Sequence, residues 1–347
     1  MLPAPLKELL KQTSRSFYLT LRVLPRAIRP QIGLTYLLAR TTDTIADTDI
    51  VPLEQRLDAL QKLRARILGT HDAPLNFGEL ARQQGLPAEC GLLEKVEDSL
   101  AALRALTPTD LKLVRQVLDT ITGGQELDLR RFAGASAEKI IALETDAELG
   151  DYTYRVAGCV GEFWTKICRR HVFPQAALDD AQLLADAMRF GKGLQLVNIL
   201  RDLPSDLRKG RCYLPSEPLF TVTGLRPGDL LDPANEKKLR PLYDRYLDLA
   251  ESYLAAGWAY TNTLPWRRVR VRLACAWPVL IGVKTLARLR VENPLDPARP
   301  IKIRRAEVRG LIRRSVIRYP WRSAWRDQSR LPADLAGKAV ASETNLS

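Results

Sequence analysis

Histidine is almost absent: only His71 and His171 occur in 347 residues, and no H-E-x-x-H pair exists. Imidazole-based zinc chemistry is thereby excluded, and any catalysis must lean on carboxylates, tyrosines and basic side chains. The five cysteines (Cys90, Cys159, Cys168, Cys212, Cys275) are scattered, odd in number and without C-x-x-C spacing. Neither a disulfide framework nor a thiolate metal site fits, and a reducing compartment does. Long apolar runs are missing too. The longest, Leu273 to Val283, lies between Arg272 and Lys284 and contains Pro278, well short of the ~18 residues of a membrane span, so a buried core helix is expected. The opening MLPAPLKELLKQTSRSF lacks the charged and apolar regions of a secretory signal. No G-x-G-x-x-G fingerprint follows a strand, so any nicotinamide must be held by loops and basic side chains.

What is present is positive charge. The net charge is +13, and arginine crowds the last third at Arg267, Arg268, Arg270 and Arg272, then at Arg304, Arg305, Arg309, Arg313, Arg314 and Arg318. A nucleic acid, an anionic membrane surface, a polyanionic substrate or a merely solvated basic face would each account for it. Nucleic acid is disfavoured because no reading motif accompanies the basic residues.

Helical periodicity dominates. Leu57, Leu60, Leu63 and Ile67 after Pro52, Leu111, Val114, Leu118 and Ile121 after TPTD, and Tyr243, Leu247, Ala250, Leu254 and Trp258 all form apolar stripes. Period-2 runs are scarce, PIKIR near residue 300 being one short candidate. Loop signals fall at His71 to Asn76, Gly134 to Ser136, Pro215 to Pro227 and Asn293 to Pro300. An all-α chain with one domain over residues 1–331 is expected, followed by a polar tail over 332–347 that is a candidate for disorder.

Two acidic motifs carry the chemistry. In Asp43-Thr-Ile-Ala-Asp47 the i, i+4 spacing sets both carboxylates on one helical face, with Arg40 at i−3. In GKGLQLVNILRDLPSD, Gln195, Asn198, Asp202 and Asp206 make one polar stripe between apolar neighbours. Like-charged carboxylates drawn out of water raise each other's pKa unless cations neutralise them. Mg²⁺ is usually held by one or two carboxylates plus substrate phosphates, so two D-x-x-x-D helices suit a magnesium-bridged diphosphate. One such motif is weak evidence, and the pair is stronger. Pro204 is expected to kink or end its helix, because it lacks an N–H and clashes with the carbonyl four residues back. A third element, Tyr152-Thr-Tyr-Arg-Val-Ala-Gly-Cys-Val-Gly161, sets Gly158 and Gly161 on a helix face and predicts close approach of another helix or a ligand.

Taken together, TSRSF (13–17), ARTTDTIAD (39–47), YTYRVAGCVG (152–161) and LQLVNILRD (194–202) resemble the squalene and phytoene synthase family over about residues 10 to 320. TSRSF, Cys275-Ala-Trp-Pro278 and KIRR (302–305) look more like the family's squalene synthases than its phytoene synthases. The resemblance implies a helical isoprenoid synthase bundle around a central apolar cavity. It implies that Asp43, Asp47, Asp202 and Asp206 ligate Mg²⁺ and that Arg40, Arg201 and Arg15 contact diphosphate, with Ser14 and Ser16 on a flap. It further implies that Tyr152 is the catalytic tyrosine, that Gln195 and Asn198 line the second half-site, and that Val156 and Asp128 border the substrate.

The reaction so implied joins two farnesyl diphosphates head to head through presqualene diphosphate, with NADPH reduction to squalene. The alternative is a dehydrosqualene, phytoene or presqualene diphosphate synthase that needs no NADPH. Some relatives without activity serve as assembly factors, and the four aspartates argue against that role. Eukaryotic members carry a C-terminal membrane anchor that these 347 residues lack, so a cytoplasmic, monomeric enzyme of bacterial type is expected, touching anionic membrane at most peripherally.

Overall fold

The computed structural model describes residues 2–14 and 17–329; Arg15, Ser16 and the polar tail of 332–347 lie outside them. The described residues up to Ala133, with Cys159–Ala177, form one compact unit; Gly134–Gly158 and those from Leu178 onward form a second.

The first unit begins with α1 (Ala4–Thr13), α2 (Phe17–Val23), α3 (Arg29–Asp47) and α4 (Leu53–Leu68). It continues through α5 (Gly78–Arg82), α6 (Pro87–Glu94), α7 (Val96–Arg104) and α8 (Pro108–Arg131). The chain then enters the second unit for β1 (Ile141–Ala142), α9 (Asp146–Thr153) and a π-helical turn over Tyr154–Gly158, and returns to the first for α10 (Cys159–His171). The second unit is completed by α11 (Asp180–Arg208), β2 (Arg211–Cys212) and α12 (Ser216–Thr223). After these come α13 (Glu236–Thr263), α14 (Val269–Leu289), α15 (Arg305–Arg318) and α16 (Arg322–Arg326). The expected all-α class and its apolar stripes are borne out: Leu57, Leu60, Leu63 and Ile67 are buried on α4, and Tyr243, Leu247, Ala250 and Leu254 on α13.

In the first unit α3 and α10 pack against α8, whose start is fixed by Thr107: its hydroxyl accepts from the Asp110 N–H at 3.3 Å. Asp110 itself is buried, and both of its oxygens lie within 3.0 Å of His171 Nε2. In the second unit α11 packs against α13, α14 and the π turn. Two glycines permit that approach. A Cβ on Gly191 would come 2.2 Å from the Ala157 carbonyl oxygen, and one on Gly193 would come 2.8 Å from Tyr253 Cβ. The close approach expected at Gly158 is also present, a Cβ there falling 3.1 Å from Lys192 Cγ.

Three expectations are corrected. The helix does not stop at Pro204, since α11 runs unbroken to Arg208. The carbonyl that Pro204 cannot serve, that of Leu200, instead accepts from the Tyr243 hydroxyl at 2.9 Å. PIKIR forms no strand; the described strands are β1 and β2, which pair in parallel as Ile141 with Arg211 and Ala142 with Cys212. Two residues per strand are too few to show period-2 alternation in the sequence. The span Pro215 to Pro227 is not all loop, because α12 occupies Ser216–Thr223 and closes on Gly224 at φ +72°. Among the described residues no helix is long and apolar enough to cross a membrane.

Candidate active site

The first acidic motif ends α3. Thr42, Thr44, Ile45 and Ala46 turn inward and are buried, which leaves Asp43 half-buried and Asp47 exposed at the helix terminus. Arg40, one turn earlier, reaches the Asp43 carboxylate at 3.5 Å with one nitrogen and Glu89 of α6 at 2.9 Å with another. From α8, Gln125 Nε2 donates to Asp43 Oδ1. Asp128 lies one turn further along α8 and is half-buried. Desolvation by these packed helices pushes the Asp43 carboxyl up to about 6, Asp47 adds to the rise, and Arg40 and Gln125 oppose it. The Asp43 side chain nevertheless keeps 46% of its surface open to solvent.

The second motif lies on α11. Leu196, Val197, Ile199, Leu200, Leu203 and Leu207 are buried, while Gln195, Asn198, Asp202 and Asp206 are half-buried along the other face, the stripe expected from their spacing. Arg201 forks onto Asp202 through Nε at 2.8 Å and Nη2 at 2.5 Å, an ion pair that raises the guanidinium pKa. Beside it lies an open recess of about 110 Å³, bordered by Arg201, Asp202 and Arg208 of α11 and by Asn293, Arg299 and Lys302 of the loop before α15. Tyr152, on α9, stacks on Tyr213 with ring centroids 4.5 Å apart, and Val156 sits half-buried in the π turn. Ser14 is buried at the end of α1, its hydroxyl donating to the Leu10 carbonyl at 2.5 Å.

The structure thus joins Arg40 to Asp43 and Arg201 to Asp202, and adds residues that sequence reasoning passed over. Gln125 and Glu89 are the nearest. Gln125 stands three residues before Asp128 on the same helix face, a legible signal; Glu89 comes from a separate helix and gave none. Lys192, one turn before Gln195, lies 5.6 Å over the Tyr253 ring, and desolvation lowers its pKa.

Among the described residues no group of three or more His, Cys, Asp or Glu side chains forms a ready metal cage. The donor set still fits Mg²⁺, which needs only one or two carboxylates when water and phosphate oxygens complete its shell. The Asp43 carboxyl, raised by desolvation and by Asp47, is a group that a nearby cation would favour in its charged form.

A family model described as squalene/phytoene synthase matches residues 10–307. The chain belongs to the squalene/phytoene synthase family. Among other family members it is 29% identical over 320 residues to the squalene synthase of Schizosaccharomyces pombe, covering 89% of this chain and 64% of that one. It is 30% identical over 255 residues to the presqualene diphosphate synthase of Rhodopseudomonas palustris, covering 74% and 77%. The chain spans about a third of the length of the bifunctional lycopene cyclase/phytoene synthases that it also matches. The solved structure of TcSQS with the ligand BPH1237 shares the fold with a TM-score of 0.75 at 20% identity, over 95% of this chain and 93% of that one. The family's helical isoprenoid synthase fold is therefore the fold of this chain.

Proposed function

We propose that this family member condenses two farnesyl diphosphates head to head through presqualene diphosphate and reduces the product to squalene with NADPH. The observation that carries the reading is the recurrence of one arrangement, an acidic helix face with an arginine on its carboxylate: Arg40 on Asp43 and Arg201 on Asp202. Two such faces match the two diphosphates that the reaction requires.

Asp43, Asp47, Asp202 and Asp206 would hold Mg²⁺, which when bound supplies the positive charge that a departing diphosphate needs. Arg40 and Arg201 each add charge-assisted donors for a diphosphate at their own acidic face, with Glu89 setting the direction of Arg40. Gln195 and Asn198 present amides on the Asp202 face of α11, and Asp128 extends the Asp43 face. Tyr152 Oη takes part in proton removal as the cyclopropane closes, its ring held by Tyr213. The apolar helix faces exclude water from the carbocations. Arg208, Arg299 and Lys302 around the recess would hold the phosphates of NADPH, which when bound would supply the hydride.

A second reading is favoured by one observation: similarity to a presqualene diphosphate synthase is as high as to a squalene synthase and covers more of the relative's length. The purified chain incubated with farnesyl diphosphate and Mg²⁺, with and without NADPH, decides between them by chromatography with mass detection. Squalene formed only with NADPH supports the first reading. Presqualene diphosphate or dehydrosqualene accumulating despite NADPH supports the second. No condensation product in either arm sinks both.

A further inference from the structure

The arginines of the last third are not spread evenly over the second unit. Two segments bring six of them together. The first is the turn into α14, with Arg267, Arg268 and Arg270 exposed around Val269, which is 38% exposed. The second is the end of α15 and the turn after it. There Arg313, Arg314 and Arg318 are exposed around Val316 at 48% and Ile317 at 57%, and Trp321 follows at 61%. The segments are fastened together. Trp266 stacks on Tyr319 with centroids 4.5 Å apart, the Tyr319 hydroxyl donates to the Trp266 carbonyl at 2.5 Å, and the Arg322 guanidinium lies 5.1 Å over the Trp266 ring.

Beneath them the floor is closely packed. Trp325 and Arg272 are almost wholly buried, and Arg272 lies 4.8 Å from Trp266 and 5.5 Å from Trp325, tied by hydrogen bonds to the Asn262 and Leu264 carbonyls. The only acid on α15, Glu307, is already bound to Lys284 at 2.7 Å and Arg288 at 2.9 Å. Among the described residues, none of the six exposed arginines around Val269, Val316 and Ile317 pairs with a carboxylate.

From this we infer that the face formed by residues 267–270 and 313–322 docks on an anionic lipid surface, with Ile317 and Trp321 entering the headgroup boundary and the arginines meeting lipid phosphates. Charge alone would suit any polyanion. The apolar side chains make the choice, because a phosphate backbone gives Val269, Val316 and Ile317 nothing to bury against, whereas the interfacial region of a bilayer takes apolar side chains, tryptophan and arginine together. Basic residues gain from the negative surface potential only within about a Debye length, so the attachment is reversible and salt-sensitive. Such docking asks for no membrane-spanning helix.

Co-sedimentation of the full chain with vesicles of phosphatidylcholine alone, or of phosphatidylcholine mixed with phosphatidylglycerol, tests it. Binding to the anionic vesicles only, weakening as salt rises, is expected. Ile317→Ser with Trp321→Ser, and separately Arg313→Gln with Arg314→Gln and Arg318→Gln, should each weaken it at least tenfold at an unchanged melting temperature. Should either set unfold the chain, brominated lipid provides a milder readout, since it quenches tryptophan emission in the wild type and loses a distinct part of that quenching in Trp321→Phe. Equal binding to neutral vesicles, no binding to either kind, or unchanged quenching in Trp321→Phe overturns the inference. So does double-stranded DNA bound as tightly as vesicles by a chain indifferent to the Ile317 and Trp321 changes, which would mark a general polyanion face.

Discussion

The Tyr243 hydroxyl of α13 donates to the Leu200 carbonyl of α11 at 2.9 Å, taking the place of the backbone N–H that Pro204 lacks. Burial pushes the phenol pKa up, so the group stays a donor at all ordinary pH. The bond satisfies the carbonyl that Pro204 leaves without its N–H, and α11 continues through Asp206 to Arg208. Tyr243→Phe is expected to cost about 1–3 kcal/mol, the penalty of a buried carbonyl left unpaired. In a Pro204→Ala background, where residue 204 supplies its own N–H, the cost should fall toward zero. Denaturant unfolding of the four chains measures it, and an equal cost in both backgrounds would refute the relationship.

Asp43 links stability to pH with a definite sign. Its carboxyl stands at about 6 in the fold against an ordinary value of 3.8, so between those values the folded chain binds the extra proton and stability declines as pH rises. With 46% of the side chain exposed, solvent screening holds the effect below the full value. In chelator, Asp43→Asn should melt above wild type at pH 7, and the gap should close toward pH 4. Mg²⁺ should raise the wild-type melting point at pH 7 more than that of the variant. Turnover by Asp43→Asn and by Asp202→Asn should fall on the order of 10²-fold or more, the scale of a lost electrostatic stabiliser. Normal turnover in both would remove the aspartates from the site.

Gln125 holds one Asp43 oxygen and leaves the other toward Arg40. Gln125→Leu is expected to raise the Mg²⁺ concentration for half-maximal activity several-fold while the circular dichroism spectrum stays native. Calorimetric titration with Mg²⁺ should show the same weakening. An unchanged Mg²⁺ requirement would reduce Gln125 to a packing residue.

Tyr152 tests whether the phenol handles a proton or the ring only packs on Tyr213. Tyr152→Phe keeps the stack and deletes the hydroxyl. Formation of presqualene diphosphate should drop about 10²–10⁴-fold, the range of general acid–base help. Full activity would return Tyr152 to packing alone.

Asp110 is a stability element of the first unit and lies outside the proposed chemistry. It is almost wholly buried, accepts from Gln31 at 3.0 Å, and meets His171 at 2.8 Å and Arg170 at 3.4 Å. Although desolvation works against it, its hydrogen bonds from His171 and Gln31 hold the carboxyl below its ordinary range. Its contribution is thus fully present above the ordinary Asp value and is lost as pH falls through the lowered one. Asp110→Ala should cost about 3–5 kcal/mol by stranding its partners. A change under 1 kcal/mol by denaturant unfolding would count against the cluster.

Much of this protein was legible without coordinates, because its determinants are local. Helical stripes such as Leu57 to Ile67 and Tyr243 to Trp258 announce their buried faces through a 3.6-residue period, and the i, i+4 carboxylates of Asp43 and Asp47 share a face by the same geometry. The order of TSRSF, DTIAD, YTYRVAG and NILRD was enough to suggest the family. Tertiary structure alone decided what depends on partners far away in the chain. Pro204 reads as a break until Tyr243, on another helix, supplies the missing hydrogen bond. Asp43 reads as one of two like acids until α8 and α6 bring Gln125 to its oxygen and Glu89 to its arginine, 82 and 49 residues away in sequence. Six arginines of the last third read as an unallocated charge until Trp266 stacks on Tyr319 and brings their two segments together. Each of these is a contact between elements, and local periodicity carries no information about which elements meet.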